Sequence, residues 1–545
     1  MPKPTRWCVE ISALSASGGQ PVADAPPPAA PPPVAPGEYP PLHGGKLFFL
    51  TVAIATASFM EILDMTIVNV SVPSISGSLG VTPSEGTWAV SSYMLAAAIM
   101  QPLSGWIARR FGEVRTFLTS IILFMVFSAV CGVANSLPML VVARLIQGFV
   151  SGPMMSVAQA ILLRNYPLEK RGMALGLWSM VIMIAPIFGP IIGGWITDNL
   201  SWPWLFYINL PVGAFSAIAS WSILRHREST TLKLPIDGVG LILLIIGVGS
   251  LQFMLDNGND KDWFNSPVIL AAAVTAVLAI AFFIPWELTD KHPVVDLHLF
   301  AKRNFRVGTG TLALAFFAFS GLNIIFPLWL QTTVGYTATW AGLAVAPVGL
   351  LGLIVAPIVG RNMGKMNLRL AASFAFLIFG FSVFWTATLN ETASYFQLAS
   401  PRFVQGLGMA FFFLPLNQIL MSGVSSNELA SASGVSNFTR TMAGSFATAI
   451  SVWIWNRRSD YHHAVLTEHI NNASHSWAQY QAQLHSHGIS GVGASEYVNQ
   501  VISNQASTLG VNDVFNVLGL IYLVLIPLIW LAKPPFGARA TEPAH

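Results

Sequence analysis

The chain has 545 residues, of which 54% are hydrophobic and 9% charged, with a net charge of +3. A soluble globular protein carries about 25% charged residues, so this chain has too few charges to cover a water-facing surface, and most of its surface must face lipid. The lack of a basic patch with interleaved aromatic residues argues against a nucleic-acid partner. The two cysteines, Cys8 and Cys131, fit neither a metal-ligand spacing nor a disulfide framework.

Residues 1–45 form a proline-rich arm ahead of the first apolar segment, with ten prolines between Pro21 and Pro41. Proline-rich segments favour polyproline II and build no core. The arm also lacks the apolar region of a cleavable signal peptide. We interpret it as a disordered cytoplasmic arm.

Apolar segments of membrane-spanning length recur through the rest of the chain. A span needs roughly 20 mainly apolar residues, and this criterion predicts an all-α membrane protein with fourteen transmembrane helices, called spans 1 to 14 in chain order. The predicted spans are residues 47–72, 86–107, 116–135, 137–160, 173–197, 203–224, 237–255, 265–287, 306–328, 338–360, 369–389, 397–421, 434–456 and 512–532.

Lys and Arg collect in cytoplasmic loops, and this bias orients the chain. With both termini in the cytoplasm, all but six of the 27 basic residues fall on the cytoplasmic side. The exceptions are Lys261, Arg402, Arg457 and Arg458 at the outer side, and Arg144 and Arg440 within spans.

The chain repeats itself. Gly80, Pro102 and Gly105 recur as Gly335, Pro357 and Gly360, and RLIQG (144–148) recurs as RFVQG (402–406). Chance recurrence explains single matches but not their joint spacing. Parallel halves related in this way are typical of transporters with the substrate path between the halves. We predict six-helix halves at 46–224 and 305–532, a linker with two inserted helices at 225–304, and a cytoplasmic tail at 533–545.

Several motifs together resemble the signatures of the major facilitator superfamily. They include LDMTIVNVSVP (63–73), GWIARRFGEVR (105–115), RLIQG (144–148), APIFGPIIGG (185–194) and SNFTRTMAGS (436–445). The likeness is greatest to its fourteen-span drug:proton antiporters, in particular the EmrB branch of inner-membrane pumps from Gram-negative tripartite efflux systems. It implies a proton-driven exporter of hydrophobic drugs in the bacterial inner membrane that needs no cofactor. It also implies a periplasmic adaptor of the EmrA kind and an outer-membrane channel as partners.

The loop between spans 2 and 3 carries one of these motifs, with Gly105, Arg109, Arg110, Gly112 and Glu113. The superfamily pattern has an aspartate four residues after the first glycine, where this chain has Arg109. An i,i+4 ion pair between Arg109 and Glu113 would brace the loop instead.

Two carboxylates, Glu61 and Asp64, fall within span 1. An ion near the bilayer centre costs at least a few kcal/mol, so acids at that depth are functional by default. Their i,i+3 spacing puts both on one helix face, where neighbouring carboxylates resist ionising together. This predicts a site that loads and releases protons. The alternative is a frayed helix that leaves both acids in interfacial water.

Arg144 in span 4 is the predicted partner of these acids. At 1.5 Å per residue, Asp64 lies ~14 Å and Arg144 ~11 Å from the outer ends of their spans. We predict an ion pair that substrate arrival breaks and a proton replaces, with either Asp64 or Glu61 as the acid. No Asp or Glu occurs from Phe305 to Asn390, so proton coupling is predicted to run through span 1.

Span 5 combines prolines that kink a helix with small residues that allow close packing. The residues concerned are Pro186, Gly189, Pro190, Gly193 and Gly194. Close packing alone is an equal alternative from physics; the resemblance identifies the segment as the antiporter motif, which seals the cavity against leak.

An apolar, adaptable pocket suits amphipathic compounds. The candidates for its lining are Tyr93, Gln101, Phe317, Asn323, Phe412 and Asn417. Arg440 in span 13 is either a structural anchor to backbone carbonyls, which we favour, or a contact for an anionic substrate. The polar outer segment 457–510 carries six histidines, and we favour a surface role over metal binding because no ligand spacing recurs. The resemblance implies that this segment is a periplasmic extension that meets the adaptor.

Other functions stay open. The chain is alternatively a major-facilitator carrier of one metabolite, working as a symporter, a uniporter or an exporter of a fatty acid or siderophore-like product. A membrane enzyme finds no support, because nucleophile-elbow, zinc-protease, P-loop and CxxC patterns are missing from the sequence.

Overall fold

The structure is a computed structural model that describes most of residues 39–536. The residues outside the description are 1–38, 82, 87, 168–169, 233–234, 236, 291–292, 426–427, 469–478, 480–482, 487–491 and 537–545. Residues 1–38 of the predicted arm (1–45) and most of the predicted tail therefore lie outside the described residues.

The described residues fold into helices joined by short connections. The first half contains α1 (Gly44–Ile67), α2 (Val72–Leu79), α3 (Pro83–Gly86), α4 (Trp88–Met100), α5 (Ser104–Phe111), α6 (Glu113–Gly132), α7 (Leu137–Asn165), α8 (Arg171–Asn199), α9 (Trp204–Tyr207) and α10 (Asn209–Leu224). The linker contains α11 (Gly238–Asn257) and α12 (Pro267–Thr289). The second half contains α13 (Arg303–Thr332), α14 (Ala338–Val345), α15 (Pro347–Asn362), α16 (Leu368–Thr386), α17 (Tyr395–Leu420), α18 (Leu429–Glu468) and α19 (Val492–Ile529).

Each predicted span overlaps one to three of these helices, and the all-α prediction is confirmed. Among the described residues, 11 helical segments are long and apolar enough to cross a membrane. Spans 2, 5 and 13 fall outside that set, on the broken pair α4 and α5, on α8 and on α18. The count of fourteen stays a prediction.

Outside the linker helices α11 and α12, the described helices form two groups. In the first half α1 packs against α8 and α10, and α7 lies between α4 and α6. In the second half α17 packs against α15 and α16, and α13 packs against α18 and α19. The halves meet where α18 contacts α5 and α7, and where α8 contacts α15.

The outer segment 457–510 is helical at both ends, because α18 runs on to Glu468 and α19 begins at Val492. Arg458 Nε lies 2.5 Å from Asp513 Oδ2, and His462 Nε2 lies 2.8 Å from the same oxygen. Of the six histidines in this segment, His469, His475 and His487 lie outside the described residues.

Candidate functional site

A buried ion pair joins α1 to α7. Arg144 Nη1 donates to Asp64 Oδ2 at 2.5 Å, and both side chains have no exposed surface. The structure thus brings together the acid and the arginine that the depth estimate put at one level. A buried charge is tolerated only when it is paired and hydrogen-bonded, and each of these residues supplies the other's counter-charge.

Amide side chains complete the surroundings of Asp64. Asn209 Nδ2, at the start of α10, donates to Asp64 Oδ1 at 2.7 Å, and Gln147 Nε2 approaches the same oxygen at 3.4 Å. Asn209 Nδ2 also lies 3.0 Å from Ser128 Oγ of α6. Sequence reasoning missed Asn209; its only signal was an amide among the apolar residues of span 6.

Arg144 is held from three sides. Its Nε donates to the carbonyl of Ala89 at 2.8 Å, and Nη1 donates to Gln147 Oε1 at 2.9 Å. The guanidinium lies 4.2 Å from the centroid of the Tyr93 ring, which is fully buried in α4. Tyr93, predicted to line the substrate pocket, therefore packs beneath Arg144.

Glu61 lies one turn before Asp64 and is only 2% exposed. Its Oε2 has no hydrogen-bond partner among the described residues. The charged groups that act on this carboxylate are Arg440, from the second half, and Asp64. Glu61 is thus the less constrained of the two acids, and it faces the boundary between the halves.

Arg440 contacts soft and aromatic groups. Its Nη2 lies 2.9 Å from Met155 Sδ of α7, and its guanidinium lies 5.1 Å from the centroid of Phe316. A thioether is a weak hydrogen-bond acceptor. The favoured expectation was an anchor to backbone carbonyls, yet the side-chain contacts found for Arg440 are this sulfur and this ring.

Aromatic side chains of α13 and α17 cluster beside Arg440. Phe316 lies 5.4 Å from Phe413 and 6.0 Å from Phe319, measured between ring centroids. Phe412 is fully buried and contacts Phe413 at 4.6 Å. The cluster gives the second half an apolar face next to a cation.

The other residues predicted to line the pocket differ in burial and in their hydrogen bonds. Phe317 is half-buried, and Asn323 and Asn417 donate to carbonyls of their own helices, at 2.8 and 2.9 Å. Gln101 is 3% exposed and accepts from Thr441 Oγ1 at 3.0 Å. Gln101 therefore joins α18 to the break between α4 and α5.

The glycines of α8 lie against α1 beside the acids. A Cβ added at Gly189 would lie 2.1 Å from Thr66 Oγ1, and one at Gly193 would lie 2.7 Å from the carbonyl oxygen of Ile67. Gly194 is buried as well. The side chains of Pro186 and Pro190 are outside the described residues. The small residues thus allow α8 to approach the helix that carries Glu61 and Asp64.

The motif loop after span 2 is braced differently from the expectation. Glu113 Oε1 pairs with Arg164 Nη2 at 3.0 Å, rather than with Arg109. Arg109 and Arg110 occupy the last turn of α5, and Gly112 has φ +95, which favours glycine. Glu228, which sequence reasoning missed, accepts from the N–H groups of Val114 and Arg115, both at 2.9 Å, at the N-terminus of α6.

Gly105 of the same motif lies between the halves. A Cβ added there would lie 1.9 Å from Ser431 Oγ and 2.8 Å from Ser431 Cα of α18. A Cβ at Gly434 would lie 2.4 Å from the carbonyl oxygen of Gln101. These two glycines allow the predicted cytoplasmic ends of α5 and α18 to touch.

Arg402, predicted to lie at the outer side, is fully buried in α17. Its Nη1 donates to Gln405 Oε1 at 3.1 Å, and its guanidinium lies 4.2 Å from the Phe326 centroid. Arg402 lies near the end of its predicted span but is not exposed, because α13 covers this part of α17.

Comparison with known proteins identifies the family. The model of the Major Facilitator Superfamily matches residues 54–448. The chain is 46% identical over 503 residues to the multidrug export protein EmrB of Haemophilus influenzae, covering 92% of this chain and 99% of that protein. It is also 46% identical to EmrB of Escherichia coli K12, over 91% of this chain and 98% of that protein.

A third relative is the fatty acid resistance protein FarB of Neisseria gonorrhoeae, 42% identical over 92% of this chain and 98% of that protein. Among solved structures, the human organic anion transporter MFSD10 matches with a TM-score of 0.57 and 13% identity, covering 89% of this chain and all of that one. That likeness concerns the fold alone. The family predicted from the motifs is confirmed: the chain belongs to the Major Facilitator Superfamily and is an EmrB-like member of it.

Proposed function

We propose that this protein exports hydrophobic and amphipathic drugs across the bacterial inner membrane in exchange for protons. The observation that carries the proposal is the pair of buried acids in α1, one of them paired with Arg144 at 2.5 Å and the other facing the second half. The similarity to proteins named multidrug export protein supports the export of drugs. As a transporter, the protein is not an enzyme.

Glu61 is the first proton carrier in this proposal. An ionised carboxylate buried without a hydrogen-bond partner is unfavourable, and Oε2 of Glu61 has none among the residues that the structure describes. The neutral, protonated form therefore suits this conformation. When the cavity opens to water, the proton leaves and the carboxylate attracts Arg440.

The second step of the proposed exchange takes place at Asp64 and Arg144. Their pair is stable while both are buried. Arg144 balances the charge of Asp64, Asn209 donates to Asp64, and the Tyr93 ring packs against the Arg144 guanidinium. Movement of α1 against α7 separates the two charges, and a proton then replaces Arg144 on Asp64. Because both acids lie on α1, binding of the substrate and binding of protons can become mutually exclusive.

The substrate path follows the boundary between the halves. Phe316, Phe319 and Phe413 provide an apolar wall, and the half-buried Phe317, Asn323 and Asn417 belong to the same helices. Large aromatic walls with few polar groups suit hydrophobic compounds of varied shape. The extended outer ends of α18 and α19 are the proposed contact for a periplasmic adaptor of the EmrA kind that leads to an outer-membrane channel, with both termini in the cytoplasm.

The test uses reconstituted liposomes with an imposed pH gradient and a fluorescent hydrophobic cation. Glu61→Gln and Asp64→Asn are expected to abolish gradient-driven transport while the cation still binds. Glu287→Gln is the matched control, since Glu287 is a fully buried acid of α12 whose Oε2 accepts from Val295 N–H at 3.0 Å. Gradient-driven transport by both α1 variants at the wild-type rate would refute the proposal.

Export of amphipathic carboxylates such as fatty acids is a second candidate. It is favoured by the 42% identity to FarB and by Arg440, a cation beside the aromatic cluster. Arg440→Gln is then expected to weaken binding of a long-chain fatty acid about tenfold and to spare binding of a hydrophobic cation. Equal loss for both ligands would reject this candidate.

A further inference from the structure

The second half contains a copy of the Arg144 site. Arg402 of RFVQG occupies the place that Arg144 has in RLIQG. Each arginine lies 4.2 Å from the centroid of an aromatic ring, Tyr93 for Arg144 and Phe326 for Arg402. Each donates to the glutamine three residues later, at 2.9 Å in the first half and 3.1 Å in the second.

The copy lacks the acid. The shift of 258 residues that relates Arg144 to Arg402 relates Asp64 of α1 to Leu322 of α13. Arg402 Nη2 donates to the backbone carbonyl of Leu322 at 3.3 Å, where Arg144 donates to the Asp64 carboxylate. No carboxylate within the described part of the chain forms an ion pair with Arg402.

Three donors in the Arg402 region have no acceptor within the part of the chain that the structure describes. They are Nε of Arg402, Nε2 of Gln405 and the hydroxyl of Tyr522, and all three residues are fully buried. The Tyr522 ring of α19 lies 5.1 Å from the Phe379 ring, and a Cβ added at Gly408, one turn after Gln405, would lie 2.9 Å from Phe379. Burial of a charge without a counter-charge is costly, and burial of donors without acceptors adds to that cost.

We propose that the second half binds one small monovalent anion, such as chloride, between Arg402, Gln405 and Tyr522. A monovalent anion balances the single positive charge, whereas a divalent anion would leave a net negative charge in the interior. The three unsatisfied groups are N–H and O–H donors, so the ligand must be a hydrogen-bond acceptor. The anion takes the electrostatic part that Asp64 takes in the first half, so the second half keeps a fixed, charge-balanced core while protons exchange at α1.

The test compares chloride with gluconate, an anion too bulky for a packed interior, on the purified full chain in detergent. We expect the wild-type melting temperature to rise with chloride concentration, following the mass-action stabilisation of a bound state, and radiolabelled chloride to bind at about one ion per chain. Equal melting temperatures in both salts, with no labelled chloride bound, would overturn the proposal.

Variants at Leu322 supply the matched pair. Leu322→Asp places a tethered carboxylate beside Arg402 and is expected to abolish both the chloride response and chloride binding. Leu322→Asn has nearly the same shape without the charge and is expected to keep both. Loss of the response in both variants, or its retention in Leu322→Asp, would contradict the assignment to Arg402. Because these measurements need no transport, their failure leaves proton-coupled export untouched.

Discussion

Asp64 is accommodated within the membrane by residues from three other helices. Arg144 and Gln147 come from α7, Asn209 from α10, and Ala89 of α4 holds the arginine. The charge of Asp64 is balanced and its oxygens have donors, which is the condition for a buried ion pair. Removal of one partner leaves the other charge uncompensated.

A double-mutant cycle tests this interdependence. Asp64→Asn is expected to lower stability by about 3–5 kcal/mol, the cost of breaking a buried pair. Arg144→Gln added to it removes the orphaned charge, so the double variant is expected to be more stable than Asp64→Asn alone. Thermal unfolding in detergent, followed by tryptophan fluorescence, measures the coupling. Strictly additive losses would argue that the two side chains do not depend on each other.

Sequence reasoning reached the acids and the arginine but not the amides. Spacing along the chain and 1.5 Å per residue are enough to compare the depths of Asp64 and Arg144. Asn209 lies 145 residues from Asp64, and its contact depends on how α10 is rotated against α1. Helix rotation is set by packing across the whole half, which local patterns do not contain.

A second ion pair, outside the membrane, gives a pH prediction. Lys302 Nζ lies 2.5 Å from Glu428 Oε2, joining the starts of α13 and α18. Burial raises the pKa of Glu428, but hydrogen bonds from Lys302 and Ser425 outweigh it and hold that pKa below its ordinary value. A lowered carboxyl pKa in the folded state gives stability that is complete above the unfolded value of about 4.3. It is lost as the pH falls through the folded value.

Comparison of the wild type with Glu428→Gln checks this sign. The difference in melting temperature is expected to be constant from neutral pH to about pH 5, and to shrink as the pH falls below the ordinary glutamate value of about 4.3. A difference that grows toward acid pH would show that the ion pair is not its source.

At the scale of helices, α8 packs closely against α1, the helix that carries the two acids. Gly189 and Gly193 let α8 lie directly on Thr66 and Ile67, the residues that follow Asp64. The sequence predicted small-residue packing in span 5 but not its partner. The contact explains how a motif far from the acids in sequence can restrict the movement of the helix that carries them.

Gly193→Ala tests this contact. Its Cβ would lie 2.7 Å from the backbone oxygen of Ile67, and overpacking of this kind costs about 1–3 kcal/mol. We expect lower thermal stability and slower proton-coupled transport. Gly310→Ala is the control, because a Cβ there meets nothing within 4 Å, and it is expected to be neutral or slightly stabilising. Similar losses in both variants would point to a general effect of replacing helical glycines.

The outer ends of α18 and α19 show where a sequence pattern misleads. Polarity ended the predicted span 13 at residue 456, although the helix continues to Glu468. Hydropathy marks where lipid ends and not where a helix ends. Arg458 and His462, one turn apart, share Asp513 of α19 and fasten the two helices beyond the apolar region.

At the scale of the whole molecule, the halves touch closely where α5 meets α18. Gly105 and Gly434 leave no room for a side chain, because Ser431 and the carbonyl of Gln101 lie against them. Alternating access requires such contacts to open and close between rigid halves. The superfamily motif therefore includes a glycine that serves the contact between halves, in addition to the charges of its loop.

Gly105→Ala is expected to hold this contact open. Its Cβ would meet Ser431 at 1.9 Å, so hydrogen–deuterium exchange is expected to rise in Ser104–Phe111 and in the first turns of α18. Gly310→Ala again serves as the control and is expected to leave exchange at these segments unchanged. Unaltered exchange in Gly105→Ala would mean that the halves tolerate the methyl group and that closure does not depend on it.

The two halves share a plan and differ in chemistry. The repeat predicted their relation, and the absence of acids from Phe305 to Asn390 predicted that the proton site is in the first half. What the sequence did not reveal is that Arg402 is as buried as Arg144. We thus propose that proton exchange and a fixed positive charge belong to opposite halves of one fold.

Proton release on drug binding tests the central claim most directly. A hydrophobic cation is added to the purified protein in weakly buffered detergent solution, and the change in pH is followed with an indicator. The account predicts that the wild type and Glu287→Gln release protons, and that Glu61→Gln and Asp64→Asn release fewer or none. Undiminished release from both α1 variants would contradict it.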